Sequence, residues 1–116
     1  MPRASEGKIP VGILGGTGYV AGELLRLLAL HPGFEVAGVA SAGHAGETAA
    51  SGFPHLAGTP LAGLRFEGVE PLRERLLDGG PAGLFAATPH GETAAPVDEF
   101  MSRAERAGVD LRVVDL

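Results

Sequence analysis

The sequence predicts an α/β fold: a Rossmann-like, doubly wound, mostly parallel sheet with helices on both faces. Two patterns carry that reading. Short apolar runs alternate with segments of helical character, which is how parallel strands joined by crossover helices read. The first apolar run also ends in a glycine cluster that opens directly into a leucine-rich segment, the strand–turn–helix layout of a dinucleotide site. With 116 residues, 45% of them apolar and 20% charged, there is room for one such domain.

Residues 1–8 are polar and lack the apolar core of a signal peptide, so they are expected to be a flexible start. The domain proper is expected over residues 9–116. Residues 9–14 form an apolar run that predicts a buried strand. A helix is expected over residues 23–30, ending near His31, with Pro32 and Gly33 as the stop signal. Leu24, Leu25, Leu27, Leu28 and Leu30 cover more than one of its faces, which predicts burial against the sheet and against a further element. Residues 34–40 read as the second strand and close a βαβ unit. Residues 45–64 carry four glycines and two prolines and read as a long loop, with room for a short helix over 47–52. A third, short strand is expected over 64–69, a helix over 71–78 with Pro71 in its first turn, and a fourth strand over 83–88. A helix over 91–106, capped by Gly108, and a fifth strand over 111–116 complete the pattern.

In such a sheet, ligands bind at the carboxyl ends of the strands near the topological switch point. Three segments are predicted to meet there: residues 15–18, 41–44 and 88–91. The spacing Gly15-x-x-Gly18-x-x-Ala21 is a variant of the dinucleotide fingerprint. Gly15 suits a tight turn out of the strand. Gly18 leaves room for a pyrophosphate, and Ala21 lets the helix pack close to the strand. The helix N-terminus offers free N–H groups and the positive end of its dipole.

At the end of the second strand stands Ala40-Ser41-Ala42-Gly43-His44, with no carboxylate to read the ribose hydroxyls of NAD and no arginine to grip a 2′-phosphate. Ser41 and His44 are the polar candidates there, and His44 reads more simply as a solvated loop residue. His55 reads as structural or solvated. Asp98, Glu99, Glu105 and Asp110 read as a solvated helix face. The chain has no cysteine, so it can supply neither a disulfide, a thiolate nucleophile nor a cysteine metal ligand. No metal-ligand spacing is present. Its net charge of −5 gives no general basic surface for nucleic acid, and no apolar run is long enough to span a membrane.

Three stretches together resemble the amino-terminal part of the N-acetyl-gamma-glutamyl-phosphate reductase family. They are the glycine loop and helix of residues 15–28 with His31-Pro32 after it, Pro54-His55-Leu56-Ala57-Gly58, and the apolar strand that ends in Thr88-Pro89-His90-Gly91. Val113-Val114-Asp115-Leu116 resembles the family's next strand. Two departures stand out. Ala21 replaces the last glycine of the loop, and Ala42 stands where the family carries an arginine, which weakens the carried-over preference for NADP.

The resemblance implies an oxidoreductase of arginine biosynthesis that reduces an acyl phosphate to a semialdehyde through a cysteine thioester, with NADPH as hydride donor. It implies cofactor contacts from Gly15, Gly16, Thr17, Gly18, Tyr19 and Val20 at the pyrophosphate, from Ser41 at the adenosine ribose, and from Thr88, Pro89, His90 and Gly91 at the nicotinamide end. His90 reads as shaping that loop rather than as a general base. Family members are longer, and their nucleophilic cysteine lies beyond the matched part. The present chain is therefore expected to stop before the catalytic domain, to hold no catalytic residue and to be inactive alone. NADP is the expected cofactor, with NAD not excluded. A small-molecule acyl phosphate is the expected partner of the full-length protein, which is expected to be a cytoplasmic homo-oligomer through the missing domain, with no nucleic acid or membrane partner. An aspartate-semialdehyde dehydrogenase type, the related acyl-phosphate reductase of lysine biosynthesis and a non-catalytic dinucleotide-sensing module are the alternatives. A catalytic short-chain reductase needs Tyr-x-x-x-Lys, and Tyr19 has Glu23 at that spacing.

Overall fold

The computed structural model describes residues 7–15, 18–87 and 94–116. In chain order the elements are β1 (Ile9–Leu14), α1 (Tyr19–Leu28), β2 (Phe34–Ala40), α2 (Ala49–Gly52), β3 (Phe66–Glu67), α3 (Val69–Leu76), β4 (Ala82–Ala86), α4 (Ala94–Ala107) and β5 (Leu111–Asp115). Two 3-10 turns, Ala42–His44 and Pro54–Leu56, sit in the connection between β2 and β3. The strands form one sheet in the order β3-β2-β1-β4-β5, and all neighbouring pairs are parallel. The strand order reverses between β1 and β4, which makes that the switch point.

Alternation along each strand sorts the side chains onto two faces. Val11, Ile13 and Val39 meet Leu25 and Leu28 of α1, together with Phe53, Leu56 and Phe66. On the opposite face Leu14, Leu84 and Leu111 meet Leu72 and Leu76 of α3 and Phe100 of α4. The two-sided burial explains why β1 reads as a continuous apolar run rather than an alternating one.

Several boundaries differ from the sequence reading. Helix α1 starts at Tyr19, before the leucine run, because Gly18 is its N-cap and the small Ala21 and Gly22 already pack inside. The leucine run is buried against the sheet and against Phe53 and Leu56 of the β2–β3 connection, but not at every leucine. Leu25 and Leu28 are buried, whereas Leu27 is 58% and Leu30 80% exposed. Helix α3 begins two residues ahead of Pro71, on Gly68 as N-cap. Asp110 lies after α4, where its carboxylate accepts a hydrogen bond from Arg112 Nε at 2.8 Å, so it is not part of the helix face. Strand β3 is reduced to two residues.

The connection expected to be a loop is ordered by a turn. Ala45 (φ −54°, ψ 133°) and Gly46 (φ +91°) form a type II turn closed by Glu47 N donating to His44 O at 3.0 Å. The chain then runs back along the outer edge of β3. Gly46 N donates to Phe66 O (2.8 Å), Phe66 N to Glu47 O (2.9 Å) and Ala49 N to Leu64 O (2.6 Å). Two residues thus oppose one, with the first a glycine at positive φ, which is the pattern of a glycine bulge. At the other side of the sheet, an apolar groove of about 380 Å³ bordered by Ile9, Phe34, Phe85 and Val114 lies over β4 and β5.

Candidate functional site

The parallel register sets the carboxyl ends of β2, β1 and β4 side by side. Gly15 N donates to Ala40 O, and Ala87 N donates to Leu14 O, each at 2.9 Å. Ser41 N donates to Glu67 O at 2.9 Å. Gly15, Ser41 and Ala87 therefore line one edge of the sheet across the switch point. The sequence-predicted residues Gly16, Thr17, Thr88, Pro89, His90 and Gly91 lie outside the described residues.

Of the turn out of β1, Gly15 and Gly18 are among the described residues. Gly15 has φ +77°, a conformation that side chains with a Cβ rarely adopt. Gly18 has φ −81° and caps α1 without any side-chain hydrogen bond. Among the described residues, none lies within 4 Å of a Cβ built on Gly18. Neither φ nor the packing of the described residues requires the glycine, and they leave space beside the first-turn N–H groups. No acidic residue stands in that first turn, and the nearby Glu23 carboxylate is paired with Arg26. Tyr19 and Val20 are exposed beside it. This arrangement can hold a phosphate or pyrophosphate on main-chain donors.

At the end of β2, Ser41 leads into the 3-10 turn, and no carboxylate occupies the strand end. His44 Nδ1 lies 3.2 Å from Glu47 Oε2 across the type II turn, with both side chains about half exposed. His44 also sets its ring edge-on to Phe66 at 6.3 Å between centroids, and it is an exposed turn residue, as its sequence position suggested. Arg65 Nη1 donates to Gly46 O at 2.5 Å and ties the same turn to the start of β3.

The sequence reading missed a second group of residues that fixes the start of α1. The ring of Phe53 lies directly over Gly22, where an added Cβ would come within 2.7 Å of two ring carbons. His55 Nε2 sits 3.1 Å from Gly22 O, which makes that nitrogen the donor and assigns His55 a structural role. Together with Gly18 and Glu23 these residues line a cleft of about 400 Å³ beside the helix N-terminus. The Glu23 carboxyl is held below its usual range, chiefly by the hydrogen bond from Arg26. The sequence signal for this contact was a glycine inside a helix, which costs helix stability and so implies a close neighbour. Among the described residues, no group of three or more His, Cys, Asp or Glu side chains could hold a metal. Nor is any described helix long and apolar enough to cross a membrane.

A parallel sheet in this strand order, with a positive-φ glycine turn opening into a bare helix N-terminus at the switch point, defines a nucleotide-binding domain of the Rossmann class. Residues 10–116 match the model of the family described as semialdehyde dehydrogenase, NAD binding domain, and the chain belongs to that family. It is 40% identical over 110 residues to an N-acetyl-gamma-glutamyl-phosphate reductase of Methanocella arvoryzae, across 93% of this chain and 29% of the relative. It is 43% identical over 96 residues to a putative LysW-L-2-aminoadipate 6-phosphate reductase of Thermomicrobium roseum, across 83% of this chain and 25% of that one. The solved aspartate semialdehyde dehydrogenase with NADP from Candida albicans has the same fold (TM-score 0.69, 21% identity, 93% of this chain and 29% of the other). The chain thus spans about three-tenths of the length of the N-acetyl-gamma-glutamyl-phosphate reductase it matches, 29%.

Proposed function

We propose that this chain is the NADPH-binding part of an oxidoreductase that reduces N-acetyl-gamma-glutamyl phosphate to N-acetylglutamate semialdehyde in arginine biosynthesis. The observation that carries the reading is the open N-terminus of α1. Gly15 at φ +77° turns the chain, and the described residues leave clear space beside Gly18 at the helix cap. These features fit a dinucleotide pyrophosphate. In this reading Gly15, Gly16, Thr17, Gly18, Tyr19 and Val20 hold the pyrophosphate. Ser41 meets the adenosine ribose, and Thr88, Pro89, His90 and Gly91 border the nicotinamide. When bound, the cofactor supplies a hydride; the residues of this chain bind and orient it. With no carboxylate at the end of β2, a 2′-phosphate meets no repulsion there, and with no arginine there to grip it NAD is not excluded.

Residues 9–116 act as the cofactor domain. The 40% identity to a named reductase supports the substrate assignment. In this reading the complete enzyme is a cytoplasmic homo-oligomer that takes a small acyl phosphate. The chain contains no cysteine, so the thiolate that the acyl-transfer step needs comes from outside it, and the chain alone is inactive. The 43% identity to a lysine-pathway reductase favours a second reading, in which the same cofactor residues serve a carrier-linked aminoadipyl phosphate.

Titration of NADPH into the purified chain tests the cofactor assignment. Saturable binding that Gly18→Val weakens is the expected result, and equal affinity in both proteins removes the glycine turn from the argument. Joining the chain to the catalytic portion of the reductase and comparing the two acyl phosphates as substrates separates the two pathways.

A further inference from the structure

Strand β2 contains one residue more than its partner. The register against β1 pairs Val11 with Val36 but Gly12 with Gly38, so Ala37 is extra. A bulge of this kind leaves main-chain groups without a ladder partner, and a half-buried carbonyl without one is costly. Arg75 of α3 meets that need: its Nη2 donates to Ala37 O at 2.9 Å. The same guanidinium forks onto the Glu67 carboxylate, with Nη1 to Oε1 at 2.8 Å and Nη2 to Oε2. Both side chains are partly buried, 27% and 20% exposed. They lie on the bare backbone of Gly38, where a Cβ would overlap Glu67 Oε2 and Arg75 Nη2.

The extra residue has a consequence at the site. It sets Leu14 opposite Ala40, and hence Ser41 level with Gly15. In an unbulged pairing Leu14 would face Val39, and Ser41 would stand about 3.3 Å further along. Glu67 contributes a second time, because its own carbonyl accepts the Ser41 N–H at 2.9 Å.

We propose that Arg75 is a positioning residue for the adenosine ribose: by clamping Ala37 O and Glu67 together it holds the bulge that brings Ser41 level with the glycine turn. This rests on the dinucleotide reading above. The clamp acts on the adenosine half of the cofactor and leaves the pyrophosphate-binding helix untouched, since Arg75 belongs to α3, which packs on the face of the sheet opposite α1.

The test compares two probes on the 116-residue chain: adenosine 2′,5′-bisphosphate, which reports the ribose end, and inorganic pyrophosphate, which reports the helix N-terminus. Arg75→Met is expected to weaken the adenosine probe about tenfold or more while pyrophosphate affinity stays within about twofold. Arg75→Lys, which keeps the charge and a donor, is expected to recover part of the loss. A merely structural role lowers both affinities together with the thermal midpoint, and that outcome, or no change in either affinity, overturns the proposal. If Arg75→Met does not fold, Glu67→Gln is read the same way, with the same selective loss expected and a parallel loss overturning it. Failure of the wild-type chain to bind either probe overturns the dinucleotide reading itself, and with it this inference.

Discussion

Replacing Gly22 by alanine sets two effects of opposite sign against each other. Inside a helix the change from glycine to alanine gains about 1 kcal/mol of backbone stability. The new Cβ, however, would lie 2.7 Å from Cδ1 and Cε1 of Phe53. Carbon atoms settle at about 3.5–4.0 Å, so the ring must retreat by about 1 Å. It has little room to do so. Phe53 is 8% exposed and is flanked by the rings of Phe66 and His55, at 6.3 and 6.0 Å between centroids. Overpacking of this kind costs about 1–3 kcal/mol, and moving the segment also strains the His55–Gly22 hydrogen bond, itself worth about 1 kcal/mol. The steric cost wins, and Gly22→Ala is expected to destabilise the chain by about 1–2 kcal/mol. Urea unfolding followed by circular dichroism measures this, with Gly22→Ala/Phe53→Leu as the relieving double variant. A midpoint equal to or above that of the wild type would refute the close packing of Phe53 on α1.

Other outcomes follow from the same geometry. No described residue lies within 4 Å of a Cβ at Gly18, so Gly18→Val is expected to lower NADPH affinity at least about tenfold while costing about 1 kcal/mol of stability or less; paired titrations and melts check both. Ala42→Arg is expected to raise affinity for NADP relative to NAD, by about 1.5–3 kcal/mol at most, and an unchanged ratio of dissociation constants would place the phosphate elsewhere. Glu23 is held below its ordinary value of 4.5 chiefly by Arg26, so the stabilisation it brings is present above that value and fades as pH falls through the lowered one. Arg26→Gln should return the Glu23 carboxyl resonance to an ordinary titration in carbon-detected NMR, and no movement would discount the pair. The purified chain should not oxidise NADPH in the presence of the acyl phosphate; turnover above a no-protein control would overturn the assignment of the thiolate to another part of the enzyme.

How much could be read from sequence depended on whether the determining contacts were local. Strands β1 and β2 were legible at their ends because each is an apolar run stopped by glycine or a polar residue. The glycine turn was legible because Gly15 and Gly18 act through backbone conformation and empty space. Contacts between distant residues were not legible. His55 meets Gly22 across a separation of 33 residues and Arg75 meets Ala37 across 38. The β2–β3 connection read as loop because its order comes from a turn and a return strand rather than from periodicity. Gly38 was the one available hint of the bulge, since a glycine inside a strand often marks a bulge or a close approach.

The type II turn at Gly46 also gives the sheet a direction of growth. By spending the N–H and C=O of Phe66 on Glu47 and Gly46, it seals the outer side of β3. At the opposite end the sheet order terminates in β5. Asp110 and Leu116 bond toward β4, so strand parity turns the main-chain groups of Leu111, Val113 and Asp115 outward. A further strand, wherever it originates, can therefore be added beyond β5 and not beyond β3, so the β2–β3 side keeps its shape while the β4–β5 side is extended.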